Sequence, residues 1–417
     1  MTRHRHCITV LTTVALAATS SIANADPVHH FDISSYHGCT ANDCGTLWCW
    51  GGEESVFGGD KGVHYTGTPS WPFQVGAGDR HSCVNLRDVN GPSGGNARGF
   101  IDCWGRNDYG QIDVPPEHEW RQLAVGMDHN CATDWTNKVV CWGRDDAGQV
   151  SEAPAGRTFA TLGLAAKQSC GVTRVFVNGR VVDGDEIRCW GEPAGKIEVV
   201  HRTDLPFAPS GERFTKVSAG AVHTCALTNF GKVYCWGDNT SSVLSPSFQG
   251  QPTGLSFPIE GGGTMQQVPA GRTYLDVAAG ELGTCAVYDD NFSGERGVEC
   301  WGYPFSFDQS LWTIMTSGGL ESTEVPLEGF EPEQVQLTLN EVCALDVDDG
   351  ELRCWSTTNG VWWSCEPQSD PHCCDSFEKS CCDPATDASC CDPNTDPLCR
   401  DHRSWDLLPD VDPYACV

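Results

Sequence analysis

The sequence predicts an all-β fold, a seven-bladed β-propeller with intra-blade disulfide hairpins, followed by a cysteine-rich irregular tail. Three observations carry this. A Cys-Trp pair recurs seven times, a second cysteine precedes each pair, and Gly (46) and Pro (24) are frequent while long helical periodicities are missing. Short strands joined by turns have this composition. Units of roughly 40–65 residues that cannot bury a face alone must stack, and stacked radially they form a propeller.

Residues 1–25 are expected to be a signal peptide. Arg3 and Arg5 give a basic start, Cys7 to Ala18 a short apolar stretch, and Ala23-Asn24-Ala25 a small-residue cleavage site. The apolar part is too short to span a bilayer, and no membrane insertion is expected later in the chain. Removing Cys7 leaves 24 of the 25 cysteines, an even number suited to an oxidising compartment. The chain is therefore read as exported, to the periplasm, the cell surface or the medium. Losing Arg3 and Arg5 takes the net charge from −30 to −32, which repels nucleic acid and anionic lipid.

The repeated unit spans residues 26–364. Its Cys-Trp pairs are Cys49-Trp50, Cys103-Trp104, Cys141-Trp142, Cys189-Trp190, Cys235-Trp236, Cys300-Trp301 and Cys354-Trp355, and Gly follows in each but the last, where Ser356 stands. The upstream partners are Cys39, Cys83, Cys131, Cys170, Cys225, Cys285 and Cys343. In three copies the two cysteines are ten residues apart, which fits a hairpin with a three-residue loop such as Asn229-Phe230-Gly231. Such loops want a residue tolerant of positive φ at the third position, where Gly231, Asn137 and Gly45 stand. The cysteines then face each other across adjacent strands, within reach of a disulfide. The longer spacings read as the same hairpin with extended tips. Zinc would need thiolates in fours or with histidine, and one pair per unit does not supply them. The Trp after each second cysteine is expected to pack between blades.

The phrase A-G-x-x-H-x-C-A-L, a turn, then V-x-C-W-G-x-N-x-x-G-Q resembles the repeat of the regulator of chromosome condensation family. Ala219 to Gly237 and Val125 to Gln149 carry it best, and the likeness covers about Phe31 to Trp355. The resemblance implies a seven-bladed propeller. Its eukaryotic namesake is a nucleotide-exchange factor for a nuclear GTPase, a role unsuited to an acidic, exported, stapled chain. A secreted bacterial-type member is the better fit, and a fold alone does not name an activity.

Residues 365–417 form a cysteine- and aspartate-rich tail with the doublets Cys373-Cys374, Cys381-Cys382 and Cys390-Cys391. It has almost no apolar residues for a core, so disulfides must supply its order. After Trp355 there are nine cysteines, an odd number, and the mature cysteine left over elsewhere is Cys44. Since a closed ring sets blade one beside blade seven, Cys44 is expected to bond a tail cysteine. Asp383, Asp387, Asp392 and Asp396 are candidate calcium ligands, although no EF-hand loop is present. No other cofactor is expected.

Catalytic motifs are missing: there is no H-E-x-x-H, no G-x-S-x-G and no phosphate-binding Gly-Lys-Ser/Thr loop. His37, His81, His129 and His223 stand two residues before a blade's first cysteine, but Gln168, Gly283 and Glu341 break the series. A structural hydrogen-bonding role is expected for them. The expected function is non-catalytic binding of an extracytoplasmic protein through propeller loops. A glycan-binding cell-surface propeller is the alternative, and a glycosidase-type enzyme a distant one. The variable stretches are Asn85 to Gly99, Thr173 to Glu186, Ser242 to Gln267 and Tyr303 to Thr323, and the candidate contact aromatics are Trp135, Trp312, Trp362 and Trp363.

Overall fold

A computed structural model describes residues 28–42, 47–51, 70–88, 99–116, 119–177, 180–205, 211–238, 247–248, 251–252, 256–258, 264–268, 272–290, 296–302, 323–324, 330–338, 341–346, 350–356 and 362–365. They form antiparallel sheets with two short 3-10 turns. Seven modules follow one another, each a first strand, a tight turn, a second strand, a hairpin tip and a third strand. Module 1 is β1 (Val28–Ile33), β2 (His37–Asn42) and β3 (Leu47–Gly51). Module 2 is β4 (Ser70–Ala77), β5 (His81–Asp88) and β6 (Gly99–Gly105), and module 3 is β7 (Trp120–Val125), β8 (His129–Asp134) and β9 (Val139–Gly143). Module 4 has β10 (Phe159–Leu164), β11 (Gln168–Val177), β12 (Arg180–Gly191) and an outer strand β13 (Val199–His201). Module 5 has β14 (Phe214–Ala219), β15 (His223–Thr228) and β16 (Val233–Gly237), then β17 (Ser247–Phe248), β18 (Gln251–Pro252), β19 (Ser256–Pro258) and the outer strand β20 (Thr264–Gln267). Module 6 is β21 (Thr273–Ala279), β22 (Gly283–Asp289), β23 (Arg296–Gly302) and β24 (Thr323–Glu324). Module 7 is β25 (Gln334–Leu337), β26 (Glu341–Leu345), β27 (Leu352–Ser356) and β28 (Trp362–Cys365).

The same turn joins first to second strand seven times. Ser34, Gly78, Gly126, Ala165, Gly220, Gly280 and Thr338 each donate a backbone N–H to the carbonyl three residues on, at 2.8–3.0 Å. The second and third strands pair with the two cysteines directly opposite in every module. Seven disulfides close them: Cys39–Cys49, Cys83–Cys103, Cys131–Cys141, Cys170–Cys189, Cys225–Cys235, Cys285–Cys300 and Cys343–Cys354. The short tips have the three-residue form: Thr228 N–H bonds the Lys232 carbonyl and Asp134 N–H that of Lys138. Gly231 (φ +68°) and Asn137 (φ +63°) take the positive-φ position. The glycine after Cys-Trp has φ of +87° to +125° at Gly105, Gly143, Gly191, Gly237 and Gly302, a region that disfavours a side chain. There the chain turns out of the third strand.

The modules close into a ring. Each first strand touches the first strand of the next module, and β1 touches β25. The hydrophobic effect joins them through one repeated contact, because the Trp of each Cys-Trp seats on the disulfide of the module before. Trp104 packs with Cys39 and Cys49, Trp142 with Cys83 and Cys103, and Trp190 with Cys131 and Cys141. Trp236 packs with Cys170 and Cys189, Trp301 with Cys225 and Cys235, and Trp355 with Cys285 and Cys300. Trp50 completes the series on Cys343 and Cys354. Second strands are thus covered on both faces, which is why His223–Thr228 is buried throughout and does not alternate.

Apart from the Gly99–Trp120 bridge that links β6 to β7, the inner edge of the first strands lacks a strand partner, and its N–H groups need acceptors. Side chains from the preceding module supply them: Asp32 Oδ2 accepts from Ala77 N, Gln74 Oε1 from Leu123 N, Ser218 Oγ from Ala279 N and Asp276 Oδ2 from Val335 N, at 2.9–3.0 Å. Two of the variable stretches extend hairpins; in module 4 the added residues continue the ladder to Val177 and Arg180. The other two lie between third and outer strands. Cys365, counted with the tail by composition, instead ends β28 opposite Leu352. The ladder carries the folded repeat one residue past the expected boundary at 364. Residues 1–25, Cys44, Trp312, the other tail cysteines and Asp383, Asp387, Asp392 and Asp396 lie outside the described residues.

Candidate functional site

The repeated histidines are joints between modules. His37 Nε2 meets Ser82 Oγ at 2.6 Å, His81 Nε2 meets Asn130 Oδ1 at 2.8 Å, His129 Nε2 meets Ser169 Oγ at 2.8 Å and His223 Nε2 meets Thr284 Oγ1 at 2.7 Å. In each case the partner is the residue just before the next module's first cysteine. Asn130 Nδ2 and Ser169 Oγ donate onward to the carbonyls of Gln111 and Gln149, so Nε2 carries the imidazole proton in His81 and His129. The same two carbonyls accept from Trp142 Nε1 at 3.0 Å and Trp190 Nε1 at 2.9 Å. The Gly of A-G-x-x-H leaves room for the ring: a Cβ on Gly78 would lie 2.2 Å from His81 Cε1, and one on Gly126 2.8 Å from His129 Cε1.

Module 4 departs in a consistent way. Ala165 replaces that glycine and Gln168 the histidine, and Gln168 Nε2 reaches the Gly220 carbonyl at 2.8 Å. The Thr224 hydroxyl in the receiving position is then buried without a partner. At the two junctions that flank module 7 the donor position holds Gly283 or Glu341 and the receiving one Val342 or Gly38, so donor and acceptor are lost together.

Burial lowers the pKa of all four histidines, to about 4 for His37 and about 3 for His129 and His223. Protonation would also create an Nδ1–H donor, and Nδ1 of His81, His129 and His223 is buried without a partner. Because these folded-state values lie below the unfolded 6.5, the stability they confer is complete above about pH 6.5 and is lost as pH falls toward 3. His223→Gln, which copies module 4, should fold. It should flatten the stability–pH curve between pH 4 and 6.5 by roughly 2–4 kcal/mol. Urea unfolding across that range checks this, and an unchanged slope refutes the joint.

The turns and the loops after Cys-Trp share one end of the ring, because Arg106 N bonds the Arg80 carbonyl and Arg144 N that of Asp128. On this end Tyr36 and Tyr109 are 49% and 43% exposed. The Arg80 guanidinium lies over Tyr36 at 5.4 Å and that of Arg144 over Tyr109 at 4.9 Å. Arg144 is held by Asp128 (3.1 Å) and Asp146 (2.7 Å), and Arg106 by Asp108. Asp79 sits among them, its pKa raised by burial and then by the neighbouring Asp128 and Glu281 carboxylates. This end therefore presents aromatic–guanidinium stacks on a rigid, cross-bonded frame.

Of the aromatics singled out from sequence, Trp312 lies outside the described residues. Trp135 opens the module 3 tip at the opposite end, half-buried, with its Nε1 buried and unpartnered. Trp362 and Trp363 are in a strand, not a loop, opposite Trp355 and Cys354 on β28. Tyr36, Arg80, Tyr109 and Arg144 were missed. For Tyr36 and Arg80 the signal is positional, since the two x residues of A-G-x-x-H form the tight turn; Tyr109 and Arg144 lie instead in the loops after Cys-Trp. Among the described residues no group of three His, Cys, Asp or Glu side chains is placed to hold a metal ion.

A family model, the regulator of chromosome condensation (RCC1) repeat, matches residues 214–242. The chain carries an RCC1 repeat there. That match covers module 5 from β14 through Cys235-Trp236-Gly237, the hairpin with the most complete phrase. Among solved structures, the yeast RCC1 protein (Prp20), crystallised with Kap60, is similar over 75% of this chain and 78% of its own, at 14% identity and a TM-score of 0.53. The CRINKLY WD40 ectodomain of the Arabidopsis thaliana receptor kinase ACR4 matches 64% of this chain and 77% of its own, at 23% identity and a TM-score of 0.42. At such identities the yeast likeness carries the RCC1-type fold and nothing of activity. The seven disulfides place this RCC1-repeat chain in an oxidising environment.

Proposed function

We propose that this RCC1-repeat protein is an exported, non-catalytic scaffold that binds another protein through the turn end of modules 1–3. The observation that carries the reading is the pair of exposed tyrosines, Tyr36 and Tyr109, each stacked with an arginine on a backbone locked by hydrogen bonds. Tyr and Arg are the residues that most often anchor protein interfaces, and a rigid frame spares them ordering entropy. The salt-bridged Asp128, Asp146 and Asp108 around them set orientation and partner choice more than affinity. Exposed tyrosines also stack on sugars, so a glycan partner is the second reading.

The test is a pull-down with the oxidised full-length mature protein against extracytoplasmic proteins of its source, beside Tyr36→Ala and Tyr109→Ala. A single protein retained in the presence of soluble sugar, with affinity at least about tenfold weaker for each variant, is the expected result. Binding that sugar abolishes selects the glycan reading. Retention equal in all three proteins refutes this end as the interface.

A further inference from the structure

The basic side chains of this acidic chain are unevenly spread. Residues 157–216 carry nine Lys and Arg against seven Asp and Glu, a net +2 in a chain of −30. The structure gathers four of those arginines on the outer part of module 4, where they share two carboxylates. Arg202 Nε and Arg213 Nη1 both reach Asp185 Oδ1, at 3.3 and 3.0 Å. Arg188 bonds Glu186 Oε1, Arg157 lies 3.9 Å from the same oxygen, and His201 Nδ1 is 3.4 Å from Oε2. Glu186 is buried, whereas the four arginine side chains are 27–44% exposed and stand outside it. Phe159 and Phe214 pair with Thr173 and Thr228 toward the hairpin tips, so Arg157 and Arg213, just before them, lie at the tip end of the ring. Arg202 joins them there, next to His201 opposite Glu186. The C-terminal segment leaves from the same end, because β28 runs from Trp362 opposite Trp355 to Cys365 opposite Leu352, and Leu352 pairs with Leu345 at the base of the module 7 tip. Beyond it, residues 366–417 carry twelve Asp and Glu against three Lys and Arg, a net −9.

We propose that the acidic tail, residues 366–417, docks on this arginine surface of module 4. Each guanidinium has five N–H donors and matches a carboxylate with two parallel bonds, so an arginine that shares one acceptor can still take a second. A single exposed ion pair adds at most about 1 kcal/mol. Tethering makes the contact intramolecular, at an effective concentration of about millimolar, so several weak pairs together suffice. Reach is not limiting. Asp383 stands 18 residues beyond Cys365, up to about 60 Å of extended chain, against a width of roughly 50 Å for a domain of this size. Docking at the tip end leaves Tyr36 and Tyr109, at the turn end, open to a partner.

Phenylglyoxal labelling of arginines, read by mass spectrometry on the oxidised full-length chain, tests this. In a variant combining Asp383→Asn, Asp387→Asn, Asp392→Asn and Asp396→Asn, the residues Arg157, Arg202 and Arg213 should label about three- to fivefold faster than in the native protein. Arg80 and Arg106, at the turn end, should keep their rates. Equal labelling of the three arginines in the two proteins overturns the docking, and if polygalacturonate then slows them the surface belongs to an anionic glycan instead. A rise shared by Arg80 and Arg106 overturns it too. If the variant fails to fold, the native protein at about 0.5 M salt takes its place, since the screening length there is only about 4 Å. Unchanged labelling of the three arginines at that salt overturns the docking.

Discussion

Reduction of the seven disulfides should unfold the propeller, and the reduced chain should not refold when denaturant is removed. The staples close hairpins with separations of 10 to 20 residues. In the chain-entropy account each such loop is worth about 3 kcal/mol, because it restricts the unfolded chain. A domain of ordinary stability has only about 5–15 kcal/mol in all, so the staples together outweigh the margin. They also form the seats of the seven inter-module tryptophans, so their loss removes the surface on which each module docks. Most of the sulfurs are buried, so reductant reaches them through opening, and mild denaturant should be needed for rapid reduction. Near-UV circular dichroism of the reduced, alkylated chain after dilution measures the outcome. A native tryptophan signal in that sample refutes the assignment of fold stability to the disulfides.

The hairpins were legible in the sequence because a disulfide between facing strands demands a particular register. With Cys225 and Cys235 ten apart, a three-residue tip puts them opposite each other, and Gly231 supplies the backbone that tip requires. The packing role of the Cys-Trp tryptophan followed from the need of each unit to bury a face. Its seat was not legible, since nothing local says that Trp236 rests on Cys170 and Cys189 of the preceding module. The partners of the histidines were hidden for the same reason. His223 and Thr284 are 61 residues apart and become neighbours only when two modules dock. A signal did exist: Ser82, Asn130, Ser169 and Thr284, each just before a first cysteine, are all polar and small enough to take the bond. The turn-end tyrosines had weaker support still, because Tyr36 and Tyr109 occupy different places in their modules. They share one end only through the backbone bonds that tie the turns to the loops after Cys-Trp.

Trp236→Ala should cost about 3–5 kcal/mol, the largest effect of any single substitution in the inter-module series. The ring is fully buried, packed by Phe214, Tyr234 and Met265 of its own module and by the Cys170–Cys189 staple of module 4. The Cys170–Cys189 disulfide holds one wall in place, so the site relaxes little and the cavity remains. Phenylalanine separates packing from hydrogen bonding. Trp236 Nε1 is buried without an acceptor, so Trp236→Phe removes an unsatisfied donor along with some volume, and should cost only about 1 kcal/mol. Trp142 is the contrasting case. Its Nε1 donates to the Gln111 carbonyl, and Trp142→Phe should cost about 1–2 kcal/mol more than the same change at 236. Urea unfolding of the three oxidised variants measures these differences directly. If the two phenylalanine variants are equally stable, the Gln111 bond contributes nothing. If Trp236→Ala matches Trp236→Phe, the stacking of tryptophan on the preceding disulfide is not what joins module 5 to module 4.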